Sequence, residues 1–98
     1  MTVRVIIPEE VLKELQIIGD YIEEQGSQQA ALQFVRSLRA RCESLVTLPH
    51  RGSNCGKNRR RLFENPNQII YRVEEVESDV IIYIVTIHHM SRSDSNLS

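Results

Sequence analysis

The sequence predicts an α+β domain in which an N-terminal strand and a helical hairpin precede a three-stranded antiparallel meander that forms a small sheet. Apolar residues alternate near the N-terminus, recur at helical spacing through the first half, and alternate again in the second half. A chain of 98 residues suits a single domain. We expect this domain to span residues 1–92, with residues 93–98 forming a flexible polar tail.

The first strand and the two helices are indicated by apolar spacing and by residues that start or stop helices. Residues 3–7 alternate as a short strand does. Pro8 suits the first turn of a helix that ends at Gly26, and its apolar stripe consists of Val11, Leu12, Leu15, Ile18 and Ile22. Ser27 can cap a second helix that ends at Pro49, and its stripe consists of Ala30, Ala31, Phe34, Leu38, Cys42 and Leu45. Two such helices joined by a short link form an antiparallel hairpin.

The second half of the chain is predicted to form the meander. Residues 50–58 contain two glycines and are predicted to be a loop. Strands follow at residues 60–63, 68–74 and 80–88, joined by short turns. Residues 80–88 are apolar on both strand faces, so we expect them inside the sheet, with the N-terminal strand at the edge.

The last strand predicts more apolar surface than one helical hairpin can cover. The hairpin packs on one face of the sheet, but strict alternation also places Ile81, Tyr83, Val85 and Ile87 on the other face. Apolar surface left over in this way favours a partner site. The alternative is that the first strand, the loop and the tail fold over this second face.

Charge is unevenly distributed although the net charge is only −1. Residues 8–24 carry six acids and one lysine. Residues 50–61 carry no acid and five bases, namely Arg51, Lys57, Arg59, Arg60 and Arg61. A basic patch of this kind favours an anionic partner, and a solvated basic loop is the equally weighted alternative.

Several classes of function lack support in the sequence. Cys42 falls on an apolar helical position and Cys55 in the predicted loop, and neither has the spacing of a metal site. We find no phosphate-binding glycine loop and no nucleophile–base arrangement, so neither a metal nor a cofactor is expected. No apolar run is long enough to cross a bilayer. Because Met1 leads directly into strand-like sequence, we expect a cytoplasmic protein with reduced thiols and no membrane partner.

The polar residues at the ends of the predicted strands are candidates for binding or catalysis. His88 and His89 are adjacent, so they point to opposite faces of a strand, and one of them could act as a general base. The strand order would gather three cations on one sheet, as a site for phosphate or an acidic protein surface: Arg61, Arg72 and Arg92. The structural alternatives are a backbone-bonded histidine, an Arg72 paired with Glu74 or Glu75, and a solvated third arginine.

The chain resembles the RelE/ParE superfamily of bacterial toxin–antitoxin toxins over nearly its whole length. The resemblance rests on motifs in the family's order: L-x-x-I-x-x-Y-I at residues 15–22, A-x-x-F at 31–34, L-x-x-x-P-x-x-G at 45–52, IIYRV at 69–73 and H-x-x-R at 89–92. It implies the family's fold and one of two mechanisms. ParE-like members inhibit DNA gyrase, whereas RelE-like members are ribosome-dependent mRNA endonucleases.

Departures from the nuclease pattern favour the ParE-like branch of type II toxin–antitoxin (plasmid stabilisation) systems. Gln68 and Met90 stand where the nuclease branch tends to have basic residues. The resemblance then implies a non-enzymatic, target-binding role for Arg59, Arg60, Arg61, Arg72, His89 and Arg92. In the alternative endonuclease, the catalytic residues would be His89, Arg92 and Arg72, with Arg61 also on the phosphate. A third alternative is an inactive member that binds only its antitoxin and its operon DNA.

The resemblance also implies partners. A cognate antitoxin, ParD-like or similar, would hold the toxin inactive by wrapping a flexible C-terminal segment around it. DNA gyrase would be the target, and DNA would be contacted only indirectly through the antitoxin. A dimeric toxin–antitoxin assembly is compatible with this arrangement.

Overall fold

The computed structural model describes residues 2–89, which form two helices and five strands. In chain order these are β1 (Val3–Ile6), α1 (Glu9–Gln25), α2 (Gln28–Glu43), β2 (Ser53–Gly56), β3 (Arg59–Glu64), β4 (Asn67–Val76) and β5 (Asp79–His89). A short 3₁₀ turn, Ser44–Val46, follows α2. The predicted tail at residues 93–98 and the predicted site residue Arg92 lie outside the described residues.

The strands form one mixed sheet in the order β1-β5-β4-β3-β2. β3, β4 and β5 make the predicted antiparallel meander, and β1 pairs with β5 in parallel at one edge, as expected. The prediction of a loop over residues 50–58 is wrong in part, because β2 adds a fifth strand there. All four β2 residues are exposed and only one is apolar, so no apolar alternation marked the strand. A two-residue turn joins it to β3, with Lys57 and Asn58 at φ 52° and 61°.

The helical hairpin begins and ends at the local signals that the sequence carries. The Ser27 hydroxyl accepts a hydrogen bond from the Ala30 backbone N–H at 3.1 Å, which confirms the predicted cap of α2. α2 ends at Glu43, before the predicted Pro49, because the chain tightens into the 3₁₀ turn. The helices approach closely at Gly19, where an added Cβ would lie 3.2 Å from a Val35 methyl. Neither helix of the described chain is long and apolar enough to span a membrane.

The hydrophobic core lies between the helical hairpin and one face of the sheet. Its buried members are Val11, Leu15, Leu38, Cys42, Leu45, Leu62, Ile69, Tyr71, Ile82, Ile84 and Ile87. Burial raises the pKa of the Cys42 thiol to about 12, so the thiol stays protonated and packs as an apolar group. The prediction that Cys42 belongs to the core is confirmed.

A bulge at Val85 changes which side chains of β5 face the core. The register with β4 shifts between Ile70 and Tyr71, so β5 contributes one extra residue there. Beyond the bulge the alternation is displaced by one position, and Ile87 packs in the core. The expectation that placed Ile87 on the second face is therefore wrong. The bulge also decides the direction of the two histidines that follow.

Candidate functional site

The face of the sheet opposite the helices, called the open face here, gathers most of the polar chemistry. Register and alternation assign it Arg59, Arg61 and Phe63 of β3, Gln68, Ile70, Arg72 and Glu74 of β4, and Ile81, Tyr83, Thr86 and His88 of β5. The other face, called the covered face, packs on α1 and α2.

The middle of the open face is buried although no described helix covers it. Gln68 is 2% exposed and Ile70 is 1% exposed. The Gln68 Oε1 atom and the Arg61 Nε atom are buried, and neither has a hydrogen-bond partner within residues 2–89. A buried polar atom without a partner costs about 1–3 kcal/mol.

Two arginines of the open face lie over aromatic rings. The Arg72 guanidinium is 4.6 Å from the Tyr83 ring centroid, and its Nη1 is 3.3 Å from Glu74 Oε1. The predicted structural alternative, an Arg72–Glu74 ion pair, is thus present, yet both side chains remain partly exposed. The Arg61 guanidinium is 5.9 Å from the centroid of Phe63, which is 48% exposed.

The structure separates the predicted site residues between the two faces. Arg59, Arg61 and Arg72 lie on the open face. Arg60 and His89 lie on the covered face, where their strand partners are Tyr71 and Asn67. A catalytic set that combines His89 with Arg72 would therefore have to act across the sheet.

His88, rather than His89, reaches the open face, where it lies opposite Gln68. Its Nδ1 is 3.3 Å from the Thr86 hydroxyl oxygen, and that hydroxyl donates to Glu14 Oε2 at 2.7 Å. The Ile87 backbone N–H donates to the other oxygen of Glu14 at 3.1 Å. Sequence reasoning placed the two histidines on opposite faces, but only the Val85 bulge determines which face each one takes.

The hydrogen bond from the Ile87 N–H to Glu14 can form because β1 pairs only with residues 80–83 of β5. Beyond those residues, this edge of β5 is open to the side chain of Glu14 on α1. The Glu14 carboxylate therefore connects a helix on the covered face with an imidazole on the open face. Because the Thr86 hydroxyl already donates to Glu14, its contact with His88 requires the ring Nδ1 to be the donor. Within residues 2–89, no group of His, Cys, Asp or Glu side chains is arranged to hold a metal ion.

On the covered face, Tyr71 and Arg60 are hydrogen-bonded to the backbone of residues 49–52, and we call this arrangement the clamp. The Tyr71 hydroxyl donates to the Pro49 carbonyl at 2.9 Å and accepts from the Gly52 N–H at 2.9 Å. Arg60 donates through Nη1 to the carbonyls of His50 and Gly52, at 3.1 and 2.7 Å. A Cβ on Gly52 would lie 2.8 Å from the Tyr71 hydroxyl, so only glycine fits. Arg60 and Tyr71 together therefore fix the backbone of residues 49–52. Burial also raises the pKa of Tyr71 above its ordinary value.

The helical hairpin carries a second exposed surface. Ile17 and Tyr21 are each 63% exposed, and Leu32 is 54% exposed. A groove of about 180 Å³ runs between α1 and α2 beside Gly19 and Leu32. We call these three residues the hairpin surface. Ile17 and Tyr21 are apolar side chains on the acid-rich helix α1, and Leu32 lies on α2.

The comparison with known families decides what this architecture is. Residues 5–94 match the family model described as the ParE toxin of the type II toxin–antitoxin system parDE. The chain belongs to the ParE toxin family. No curated protein matches the sequence. The resemblance drawn from the short motifs of the sequence is thereby confirmed.

Two solved structures share the ParE-family fold seen here. One is a chromosomal ParDE toxin–antitoxin system from P. aeruginosa, with a TM-score of 0.70 and 18% identity over 91% of this chain and 95% of that chain. The other is a mutant of the E. coli toxin RelE in the free state, with a TM-score of 0.58 and 14% identity over 97% of this chain and 90% of that chain. At such identities the likeness concerns the fold, and it confirms the predicted RelE/ParE architecture.

Proposed function

We propose that this ParE-family chain inhibits DNA gyrase by binding it through the open face. The observation that carries the proposal is the family match over residues 5–94, combined with an open face that presents arginines stacked on aromatic rings. Arginine, tyrosine and phenylalanine are enriched in protein–protein interfaces. Arg61, Arg72 and Phe63 would form the contact, and Arg59 would extend it along β3.

The chemistry of the open face supports binding more than strand cleavage. RNA cleavage needs a positioned base and groups that stabilise the developing charge. Gln68 is neutral and occupies the buried centre of the face. Arg72, which would serve the phosphate, already contacts Glu74 and Tyr83.

We also propose that a cognate antitoxin neutralises the toxin by laying an amphipathic segment on the hairpin surface. Ile17 and Tyr21, four residues apart on α1, and Leu32 of the neighbouring α2 offer apolar contacts. Residues 8–24 carry six acids and one lysine, so the complementary segment would combine apolar and basic side chains. The solved ParDE system that shares this fold supports a partner of this class.

The deciding experiment is a titration of the purified chain, free of antitoxin, into a gyrase supercoiling reaction with plasmid DNA and ATP. We expect loss of supercoiling or trapped cleaved plasmid. Arg61→Gln and Arg72→Gln should weaken the inhibition, whereas Arg36→Gln, an exposed arginine of α2, should leave it unchanged. Full supercoiling at a large excess of the unmodified chain would overturn the proposal for the gyrase used.

A ribosome-dependent endonuclease is the second candidate, and the Glu14–Thr86–His88 chain of hydrogen bonds favours it. That chain would orient an imidazole on the open face, which also carries Arg61. Cleavage of ribosome-bound mRNA that is lost in His88→Ala and retained in His89→Ala would support this candidate. An inactive family member would show neither activity and would still bind its antitoxin.

A further inference from the structure

A small pocket lies beside the β2–β3 hairpin, away from the open face. It has a volume of about 90 Å³ and is lined by His50, Asn54, Asn58, Arg59, Arg60 and Val73. Asn54 pairs with Arg60, and Arg60 pairs with the core residue Tyr71, so Asn54 and Arg60 belong to the covered side of the sheet. Arg59, which alternation assigns to the open face, contributes to the lining from the first position of β3. We call this site the hairpin pocket.

The lining of the hairpin pocket consists mainly of hydrogen-bond donors. Asn54 Oδ1 accepts from the Gly56 N–H at 2.8 Å, which leaves its amide NH₂ as a donor. The Arg60 guanidinium donates to two backbone carbonyls, and no ion pair within residues 2–89 includes it. No carboxylate lines the pocket. Donors and a positive charge without a nearby acid fit an anion.

The surrounding surface reinforces the positive potential. Residues 50–61 contain no acid. Within residues 2–89 the ion pairs are Arg41–Glu64 and Arg72–Glu74, and neither includes a base from residues 50–61. Glu75 follows Val73 on the same face of β4, but it is not part of the lining. Because the net charge of the chain is −1, anion binding would be localised at the hairpin rather than spread over the surface.

The size of the pocket restricts the kind of anion. A volume of about 90 Å³ is well below the roughly 300 Å³ at which ordinary small-molecule sites begin. One phosphate group fits, whereas a whole nucleotide does not. A phosphate carried on a polymer backbone can enter while its sugar and base stay outside.

We propose that the hairpin pocket binds a backbone phosphate of a nucleic acid, so that the toxin contacts nucleic acid directly. This goes beyond the expectation that DNA contact occurs only through an antitoxin. Arg59 and Lys57 would contact the neighbouring phosphates as the backbone passes the hairpin. The proposal does not depend on gyrase inhibition.

The test measures binding of the full chain to a short fluorescent DNA duplex by anisotropy over a range of salt concentrations. The informative variant is Asn54→Asp, because a carboxylate still accepts from the Gly56 N–H but repels a phosphate. Gln33→Glu adds the same charge on an exposed position of α2 and serves as the matched control. Unfolding temperatures of both variants should equal that of the parent chain, which separates binding from folding.

We expect Asn54→Asp to weaken binding about tenfold while Gln33→Glu binds as the parent does. Arg59→Gln should weaken binding and lower the salt slope by about one phosphate contact. Equal binding by Asn54→Asp and Gln33→Glu, or no salt-dependent binding of either DNA or RNA by the parent, would overturn the proposal. RNA of the same length and inorganic phosphate are tested in the same way. If inorganic phosphate raises the unfolding temperature of the chain but neither DNA nor RNA binds, the proposal is wrong.

Discussion

The covered and open faces of the sheet are built from the same strands but differ in almost every property. On the covered face, Leu62 and Ile82 pack against the helical hairpin and are nearly inaccessible. One residue further along, Phe63 and Tyr83 turn to the open face, where each lies under an arginine. The covered face holds one continuous apolar cluster, whereas the open face mixes aromatic, charged and amide groups.

This difference shows how one small domain can separate stability from recognition. Burial of apolar area stabilises the fold through the covered face. The open face can therefore carry groups that lower stability, such as the buried amide oxygen of Gln68, which has no hydrogen-bond partner within residues 2–89. The IIYRV motif spans both roles. Ile69 and Tyr71 belong to the core, whereas Ile70 and Arg72 lie on the open face.

The largest expected effect on stability comes from shortening one of two adjacent side chains of β5, which point to opposite faces of the sheet. Ile82→Ala removes a fully buried side chain and should lower the free energy of unfolding by about 2–5 kcal/mol. Ile81→Ala, on the open face, should lower it by about 1 kcal/mol or less. Denaturant midpoints measure both. Equal losses for the pair would mean that the open face also builds the core and would break the comparison.

A smaller loss is expected at the clamp on the covered face. Tyr71→Phe removes the hydrogen bonds to Pro49 and from Gly52 while keeping the ring, so it should cost about 1–3 kcal/mol. Chemical denaturation at neutral pH measures this. Tyr71→Phe that is as stable as the parent would show that the Pro49–Gly52 segment does not depend on the hydroxyl.

Tyr71 also predicts that the stability of the fold decreases at alkaline pH. Burial raises the pKa of Tyr71 above 10.0, so the unfolded chain ionises first. The stabilisation by the neutral phenol is complete below pH 10.0 and is lost as the pH rises through the raised pKa of the folded state. Between neutral pH and a pH above 10.0, the free energy of unfolding should therefore fall more for the parent chain than for Tyr71→Phe, as measured by chemical denaturation.

Much of the covered face could be predicted from the sequence, because apolar spacing is a local property. Both helices, the Ser27 cap, the core position of Cys42 and the meander follow from it. β2 could not be found in this way, since its residues are exposed and only its pairing with β3 makes it a strand. The Val85 bulge likewise arises from register with β4.

The open face was harder to predict because alternation fixes opposite directions but not which direction is covered. In β3, Leu62 and Phe63 are both apolar and point to opposite faces, so either could have supplied the core residue. The structure buries Leu62, which places Arg61 and Phe63 on the open face and Arg60 on the covered one. No signal in the sequence distinguishes His88 from His89 either, because the bulge in β5 intervenes. Whether the open face binds gyrase stays a prediction.

Glu14 connects the two faces and offers a finer test of their separation. Glu14→Gln keeps an acceptor for the Ile87 N–H but loses the charged acceptor of the Thr86 hydroxyl, so stability should fall by about 1 kcal/mol. Imidazole nitrogen shifts of His88 should move as well, because its neighbour Thr86 changes partner. Glu10→Gln, an exposed acid of α1, is the control. Unchanged His88 shifts in Glu14→Gln would show that the helix does not influence the open face.

The smallest expected effect on stability is at Arg72, where the effect on function should be large. Its ion pair with Glu74 is partly exposed, so Arg72→Gln should change the free energy of unfolding by less than about 0.5 kcal/mol. If the open face binds the target, the same substitution should still reduce gyrase inhibition markedly, because an arginine stacked on Tyr83 is the kind of residue on which interfaces depend. Arg41→Gln removes the other partly exposed ion pair, with Glu64, and should alter neither property. Inhibition retained in Arg72→Gln, or lost equally in Arg41→Gln, would move the recognition surface away from the open face.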